Sequence, residues 1–128
     1  MYCGKIGKKF DSSDVEFTID MLKQNGINSV YSYNVNKIIA IEKIDEYTLK
    51  LEIENEELFF EYNLIFPIMS SKYYSDYGEF ISETKNRTPV GTGMFYISDT
   101  DEYTIALKKN TNWWNSAKGA TKLQNINL

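Results

Sequence analysis

The chain predicts an α+β fold, with a mixed or antiparallel sheet and flanking helices. Three observations carry that expectation. An apolar period of about 3.6 residues follows a capping signature near the start. Tyr47, Leu49, Leu51 and Ile53 alternate with Thr48, Lys50, Glu52 and Glu54, the period of a half-buried strand. The last third reads as a Gly-rich turn, a strand, a turn, a second strand and an aromatic pair, Trp113-Trp114.

Residues 4 to 11 read as a loop. Ser13-Asp14-Val15-Glu16 then fits a capping box, with the Ser13 hydroxyl accepting from the Glu16 amide and the Glu16 side chain reaching back. Asp14 and Glu16 also suit the positive end of a helix. Val15, Ile19 and Leu22 fall at i, i+4 and i+7, and Phe17 and Met21 add an adjacent stripe. Asn25-Gly26 is the expected stop, since both tolerate a left-handed cap.

Residues 38 to 42 read as a strand, Lys43 to Glu46 as a turn, and the alternating run from Tyr47 as the return strand of a hairpin. Asn55 is the expected cap of a helix over Glu56 to Phe66, broken at Pro67. Ser70 to Phe80 reads as a short helix plus loop, and Glu83 to Thr88 as polar and exposed. Phe95–Ser98 and Thr104–Lys108 form the final pair, turned at Asp99 to Glu102. Leu123 to Leu128 alternates weakly and stops abruptly, as a cut strand would.

The 128 residues suffice for one domain with one modest core. Hydrophobic content of 42% with 25% charged residues points to a globular chain. A net charge of −4, with no basic stripe, argues against nucleic acid as a partner. Histidine is absent and Cys3 stands alone, which excludes an internal disulfide, a Cys/His zinc site and any histidine-based triad. The remaining carboxylates, tyrosines and lysines suggest no catalytic constellation, so no enzyme, cofactor or metal is expected. No apolar run reaches membrane-spanning length, and no secretory-type apolar stretch precedes Cys3. The chain is therefore expected to be cytosolic or to have lost a targeting segment.

Several motifs, in order, resemble the extracellular solute-binding proteins of ABC importers, in the peptide- and nickel-binding family 5. Gly7 to Thr18 is similar to the family's D-G-K-x-F-x-x-x-D-V-x-F-T segment, with Ile6 in place of the acid. Ile39 to Ile53 looks like the I-x-x-V/I-E-x-x-D-x-x-T-V-x-x-x-L hairpin, while Pro67 and Tyr73-Tyr74 match an I-V-P-K turn only loosely. Thr88 to Tyr96 resembles P-V-G-T-G-x-aromatic, and Ile105 to Asn110 resembles I-x-L-x-x-N. Trp113-Trp114 and the run Trp114 to Lys118 resemble N-x-W-W and W-N-x-A-K.

The resemblance implies a type II periplasmic-binding-protein-like fold, with residues 1–128 forming one domain within the first lobe of a two-lobed receptor. It implies an oligopeptide or other small solute as ligand and an ABC permease as partner, reached through a longer parent that carries the remaining lobe. It also implies an exported parent at the cell surface, lipid anchoring being an option. The second reading is a stand-alone interaction module on the same scaffold, oligomeric if another copy covers its apolar patch.

Tyr31 is the leading ligand candidate, because Asn28-Ser29-Val30-Tyr31 resembles the family's S-P-Y segment; Val30 replaces the proline. The alternative is that Tyr31 packs on the hairpin with its hydroxyl at the surface. Gly91, Thr92 and Gly93 are candidates to present backbone amides, with the glycines permitting positive φ or close approach; a purely structural turn is the alternative. Trp113-Trp114 is either an aromatic platform or, through Trp114, a plug at the sheet edge. Glu52, Glu54, Glu56, Glu57 and Glu61 crowd one stretch and are expected to form a solvated edge.

Overall fold

A computed structural model describes residues 2–3, 7–24, 29–74, 83–116 and 122–128. In chain order the elements are β1 (Tyr2–Cys3), β2 (Lys8–Lys9), α1 (Ser12–Gln24), α2 (Ser32–Val35), β3 (Ile38–Lys43), β4 (Leu49–Ile53), a 3-10 turn (Phe60–Asn63), α3 (Ser71–Tyr74), α4 (Glu83–Arg87), β5 (Phe95–Thr100), β6 (Ile105–Lys109) and β7 (Asn125–Asn127). They divide into two compact units, Asp11–Ser71 and a second built from Met1–Phe10 with Lys72–Leu128.

In the Asp11–Ser71 unit, α1 lies against the antiparallel β3–β4 hairpin. Ile19, Val35, Ile38 and Phe66 form its buried centre, and Val15, Leu22, Ile41, Leu51 and Ile53 pack around them. The i, i+4, i+7 stripe is thus the buried face. Each fully buried aliphatic side chain contributes about 1.5–3 kcal/mol. Alternation alone would not put both Ile38 and Ile41 inward. A register shift between Ile38 and Ala40 resets the phase and leaves Ile39 exposed. The turn runs two residues further than the sequence suggests: β4 begins at Leu49, and Tyr47 sits in the turn, held by its amide donating to Asp45 Oδ1 at 2.7 Å.

The capping box forms, but two residues earlier than expected. Asp11 Oδ1 accepts from the Ser13 amide at 2.9 Å, and Asp14 Oδ2 accepts from the Asp11 amide at 3.0 Å. Aspartate caps as well as serine, and Asp11 stands three residues before Asp14, so the reciprocal geometry closes there. Ser12 and Ser13 then turn outward to the hairpin: Ser12 Oγ donates to the Asp45 carbonyl at 2.6 Å, and Lys43 Nζ to Ser13 Oγ at 2.5 Å. The Asn25-Gly26 stop lies outside the described residues.

Asp14 is buried, and its second oxygen leaves the helix. Oδ1 accepts from both the amide and the hydroxyl of Ser71 at 2.8 Å. One turn on, Thr18 Oγ1 donates to the Asp14 carbonyl at 2.7 Å and accepts from the Met69 amide at 2.8 Å. These bonds hold the extended segment after Pro67 against α1.

The helix expected over Glu56 to Phe66 does not form. Phe59 adopts φ 64°, a left-handed conformation that ends any continuous helix, and only Phe60–Asn63 makes a 3-10 turn. Leu58, Phe59, Tyr62 and Ile65 are all exposed, while Phe66 enters the core and Phe60 packs half-buried against it.

In the other unit, Lys8–Lys9, within the stretch expected as loop, forms β2 and pairs antiparallel with β1, with Gly7 before it at φ +59°. Residues 4–6 and 75–82 lie outside the described residues, so only the first turn of the helix expected after Ser70 is seen, as α3. Glu83 to Thr88, expected as polar and exposed, is helical over Glu83–Arg87. It is tied to α3: the Tyr73 hydroxyl lies 3.1 Å from both the carbonyl and Oγ1 of Thr88, and Lys85 Nζ sits 4.5 Å above the Tyr73 ring. Burial pushes the neighbouring Tyr74 phenol above its usual range, with Tyr73 adding to the effect.

The three-stranded antiparallel sheet has the order β5–β6–β7. The weakly alternating C-terminal run is a paired strand, Ala106 opposite Asn127 and Leu107 opposite Ile126. The β5–β6 turn closes on Asp101. Its Oδ1 accepts from the amides of Tyr103 and Thr104 at 2.8 and 2.9 Å, and its Oδ2 from the Thr104 hydroxyl at 2.8 Å.

Two predictions follow from these anchors. Removing the Asp14 carboxylate (D14A) is expected to destabilise the chain by about 3 kcal/mol, since it orphans three donors, while S71A, which keeps the backbone bond, costs about 1 kcal/mol. Urea unfolding of both variants checks the ratio. The Tyr103 amide, then the Thr104 hydroxyl and amide, hold the Asp101 carboxyl below the usual carboxylate range. A depressed folded pKa stabilises above the unfolded value and is lost as pH falls through the folded one. The Tyr103 and Thr104 amide resonances should therefore hold steady down to about pH 4, move only below it, and lose that acid step in D101N.

Candidate functional site

Tyr31 precedes the single turn of α2. Its amide donates to Ser29 Oγ at 3.2 Å, and its carbonyl accepts from the Asn34 amide at 3.1 Å. Ser32 and Val35 are buried, and Ser32 Oγ donates to the Leu22 carbonyl at 3.4 Å, which seats the turn on α1. The neighbouring residues are exposed: Tyr31 to 37%, and Val30 and Tyr33 to 87% and 74%. A sequence-predicted ligand residue thus stands at a surface held by a well-bonded turn.

Gly91, Thr92 and Gly93 belong to the other unit. Of the two properties expected of these glycines, positive φ and close approach, the first is not used. A Cβ at Gly91 would meet nothing within 4 Å, and one at Gly93 would make ordinary contact with the Phe95 carbonyl at 3.6 Å. The turn is set instead by Asn110, which is buried. Its Nδ2 donates to the Gly93 carbonyl at 2.9 Å and its amide to the Met94 carbonyl at 2.8 Å, while its Oδ1 accepts from the Asn112 amide at 3.0 Å. The terminal Asn of the I-x-L-x-x-N strand carries this role, which the sequence pattern marked only as a motif letter.

Trp114 is not a plug. It is 64% exposed, with Trp113 half-buried beneath it and the rings edge-on at 6.0 Å. Among the glutamates, Glu57 pairs with Lys37 at 2.7 Å, which with other nearby charges raises the Lys37 pKa despite partial desolvation. Glu52, Glu54, Glu56 and Glu61 are exposed, as a solvated edge requires. Among the described residues no three Asp, Glu or Cys side chains converge as metal ligands, and no helix is long and apolar enough to cross a membrane. A dent lined by Ala40, Glu42, Lys50 and Glu52 on the hairpin has a volume of about 40 Å³, room for water and not for a solute.

Residues 7–128 match the family described as bacterial extracellular solute-binding proteins, family 5 middle. The di/tripeptide-binding protein 1 of Pseudomonas aeruginosa is 28% identical over 126 residues, covering 86% of this chain and 24% of that protein. The oligopeptide ABC transporter periplasmic binding protein of Thermotoga maritima, solved with mannohexaose bound, is 27% identical with a TM-score of 0.73, over 94% of this chain and 23% of that one. NikZ of Campylobacter jejuni, solved with Ni(L-His), shares the fold at a TM-score of 0.77 and 20% identity, over 94% and 24% of the two chains. The neighbours have the type II periplasmic binding fold. The chain spans about a quarter of the length of these relatives.

Replacing Asn110 with Ala should cost about 2 kcal/mol by orphaning the Gly93 carbonyl and the Asn112 amide. Hydrogen exchange should speed at Asn112 and Trp113 while the Asp11–Ser71 unit keeps its protection.

Proposed function

The chain belongs to the bacterial extracellular solute-binding proteins of family 5, and from that premise we propose that it is the substrate-binding component, or a segment of one, of an ABC importer that takes oligopeptides. The observation that carries the reading is the unbroken family match from residue 7 to residue 128. The dipeptide- and tripeptide-binding name of one relative supports peptide as the solute class. On this reading residues 1–128 form one domain of the first lobe. The remaining lobe completes the cleft, and an ABC permease receives the solute. The parent acts outside the cytoplasm, free or held by a lipid anchor, and catalyses no reaction.

Tyr31, Gly91, Thr92 and Gly93 are the proposed ligand contacts. The exposed ring of Tyr31, on a turn fixed by backbone bonds, offers apolar area and a hydroxyl at little cost in side-chain order. Gly91 and Gly93 leave backbone open to close approach by a peptide, since Gly91 has no neighbour within 4 Å of a Cβ position.

The test is an amide NMR titration of the 128-residue chain with a mixed pool of short peptides. Shifts at Tyr31 and at Gly91 to Gly93 are expected, and Y31A should weaken the response about threefold to tenfold. A folded sample that shows no shift anywhere would overturn peptide as the solute of this chain.

A further inference from the structure

The chain enters the Asp11–Ser71 unit at Asp11 and leaves it at Ser71, and the other unit is assembled from the stretches outside, Met1–Phe10 and Lys72–Leu128. The Asp11–Ser71 unit is therefore an insertion in a discontinuous one. Asp14 holds both of its end residues. Oδ2 accepts from the Asp11 amide at 3.0 Å, and Oδ1 accepts from the amide and the hydroxyl of Ser71 at 2.8 Å. Asp14 is buried, so these bonds are made where water competes little. Thr18, buried as well, adds the Met69 amide one turn on.

A closed insertion needs its own core, and this one has it. Ile19, Val35, Ile38 and Phe66, with the side chains packed around them from Val15 to Ile68, all fall between Asp11 and Ser71. Polar links that span long stretches of sequence also begin and end inside. Ser12 Oγ reaches the Asp45 carbonyl, Asn34 Nδ2 the Asn63 carbonyl, and Lys37 reaches Glu57. The other unit has a tie of its own at the same place in the chain. Lys72 Nζ donates to the Lys9 carbonyl at 3.0 Å and joins the two stretches that flank the insertion. Opening the insertion leaves that tie in place and turns the residues between into a loop. The entropy of closing a loop grows only with the logarithm of its length, so so long a loop does not force its neighbour open.

We propose that Asp11–Ser71 opens and closes as one cooperative unit, separately from the rest of the chain, and that Asp14 is the clasp that governs its opening. Breaking the clasp frees both ends of the unit together. One end is the start of α1, whose stripe forms one side of the core. The other is the segment after Pro67, which brings Phe66 into that core. Both sides of the core lose their fixed ends at once, so opening spreads through the unit and does not stop as a frayed terminus. The inference holds whatever solute the parent takes.

The test is native-state hydrogen exchange of the 128-residue chain in rising, sub-denaturing urea, under conditions where exchange follows the opening equilibrium. One set of amides is Ile19, Leu22, Glu54, Met69 and Ser71. The other is Ile105, Lys109 and Asn110, bonded to the carbonyls of Leu128, Gln124 and Met94. The first set is expected to converge on one opening curve, distinct from that of the second. D14N should speed exchange of the whole first set about tenfold to hundredfold and leave the second within about twofold. S71A, which removes one donor and keeps the backbone bond, should speed the same set about threefold to tenfold, so the outcome does not hang on D14N folding. A single curve shared by both sets overturns the separate unit. Equal acceleration of both sets by either variant overturns it too. Acceleration confined to Asp11, Met69 and Ser71 overturns Asp14 as the clasp of the whole unit and reduces it to a local anchor.

Discussion

The Asp11–Ser71 unit depends on one buried carboxylate. Asp14 sits in the first turn of α1 and divides its two oxygens between tasks. Oδ2 closes the helix start on the Asp11 amide, and Oδ1 holds the amide and hydroxyl of Ser71. A buried carboxylate is tolerable only when hydrogen-bonded, and here three donors surround it at the positive end of a helix. Thr18 repeats the device one turn on by bridging Asp14 and Met69. The chain is thereby brought back to α1 after leaving it for some fifty residues (|i−j| is 51 for Thr18 to Met69). Phe66 reaches the core because its neighbours after Pro67 are pinned in this way.

Where periodicity coincided with burial, the sequence was readable. The α1 stripe and the alternation of β4 each describe a single buried face, so pattern and packing agree. The β5–β6 pair formed as expected, and the C-terminal run pairs with β6. Residues 56 to 66 failed because most of their apolar residues do not mark burial: only Phe60 and Phe66 reach the core, six residues apart. A dense run of Leu, Phe, Tyr and Ile invites a helix, yet the helix would have needed something to cover it. Phe59 at φ 64° is a conformation no propensity scale assigns to phenylalanine, and it places side chains where solvent meets them. The two-residue error at the α1 cap has a narrower cause. Asp11 and Ser13 both fit the pattern, and only the hairpin turn, whose Asp45 carbonyl claims Ser12, decides between them.

The candidate site was legible in part. Tyr31 was singled out through its place in a motif, and its exposed position on a bonded turn is what a ligand contact requires. The glycine turn was noticed for two properties, positive φ or close approach; both residues keep ordinary φ, so only their lack of side chains bears on access. The role of Asn110, which sets that turn, was not legible because its partners are backbone carbonyls and an amide, and no pattern of residue types records them.

The exposed aromatics of the Asp11–Ser71 unit follow from how their backbones are held. Tyr31 and Tyr33 stand on a turn whose alternate residues, Ser32 and Val35, are anchored inward. Phe59 and Tyr62 stand on a 3-10 turn fixed at both ends by Asn34 and Lys37. In each case polar bonds define the conformation, to the main chain through Asn34 and between side chains through Lys37 and Glu57, and the apolar side chains take no part in them. A surface ordered in advance loses little entropy when a ligand arrives, so modest contact area still yields measurable affinity. The same side chains packed into the core would have strengthened the unit by a few kcal/mol. Keeping them outside lowers the stability of the unit. The polar ties of Asn34, Lys37 and Asp14 make that arrangement tolerable, because they stabilise the backbone without using the exposed rings.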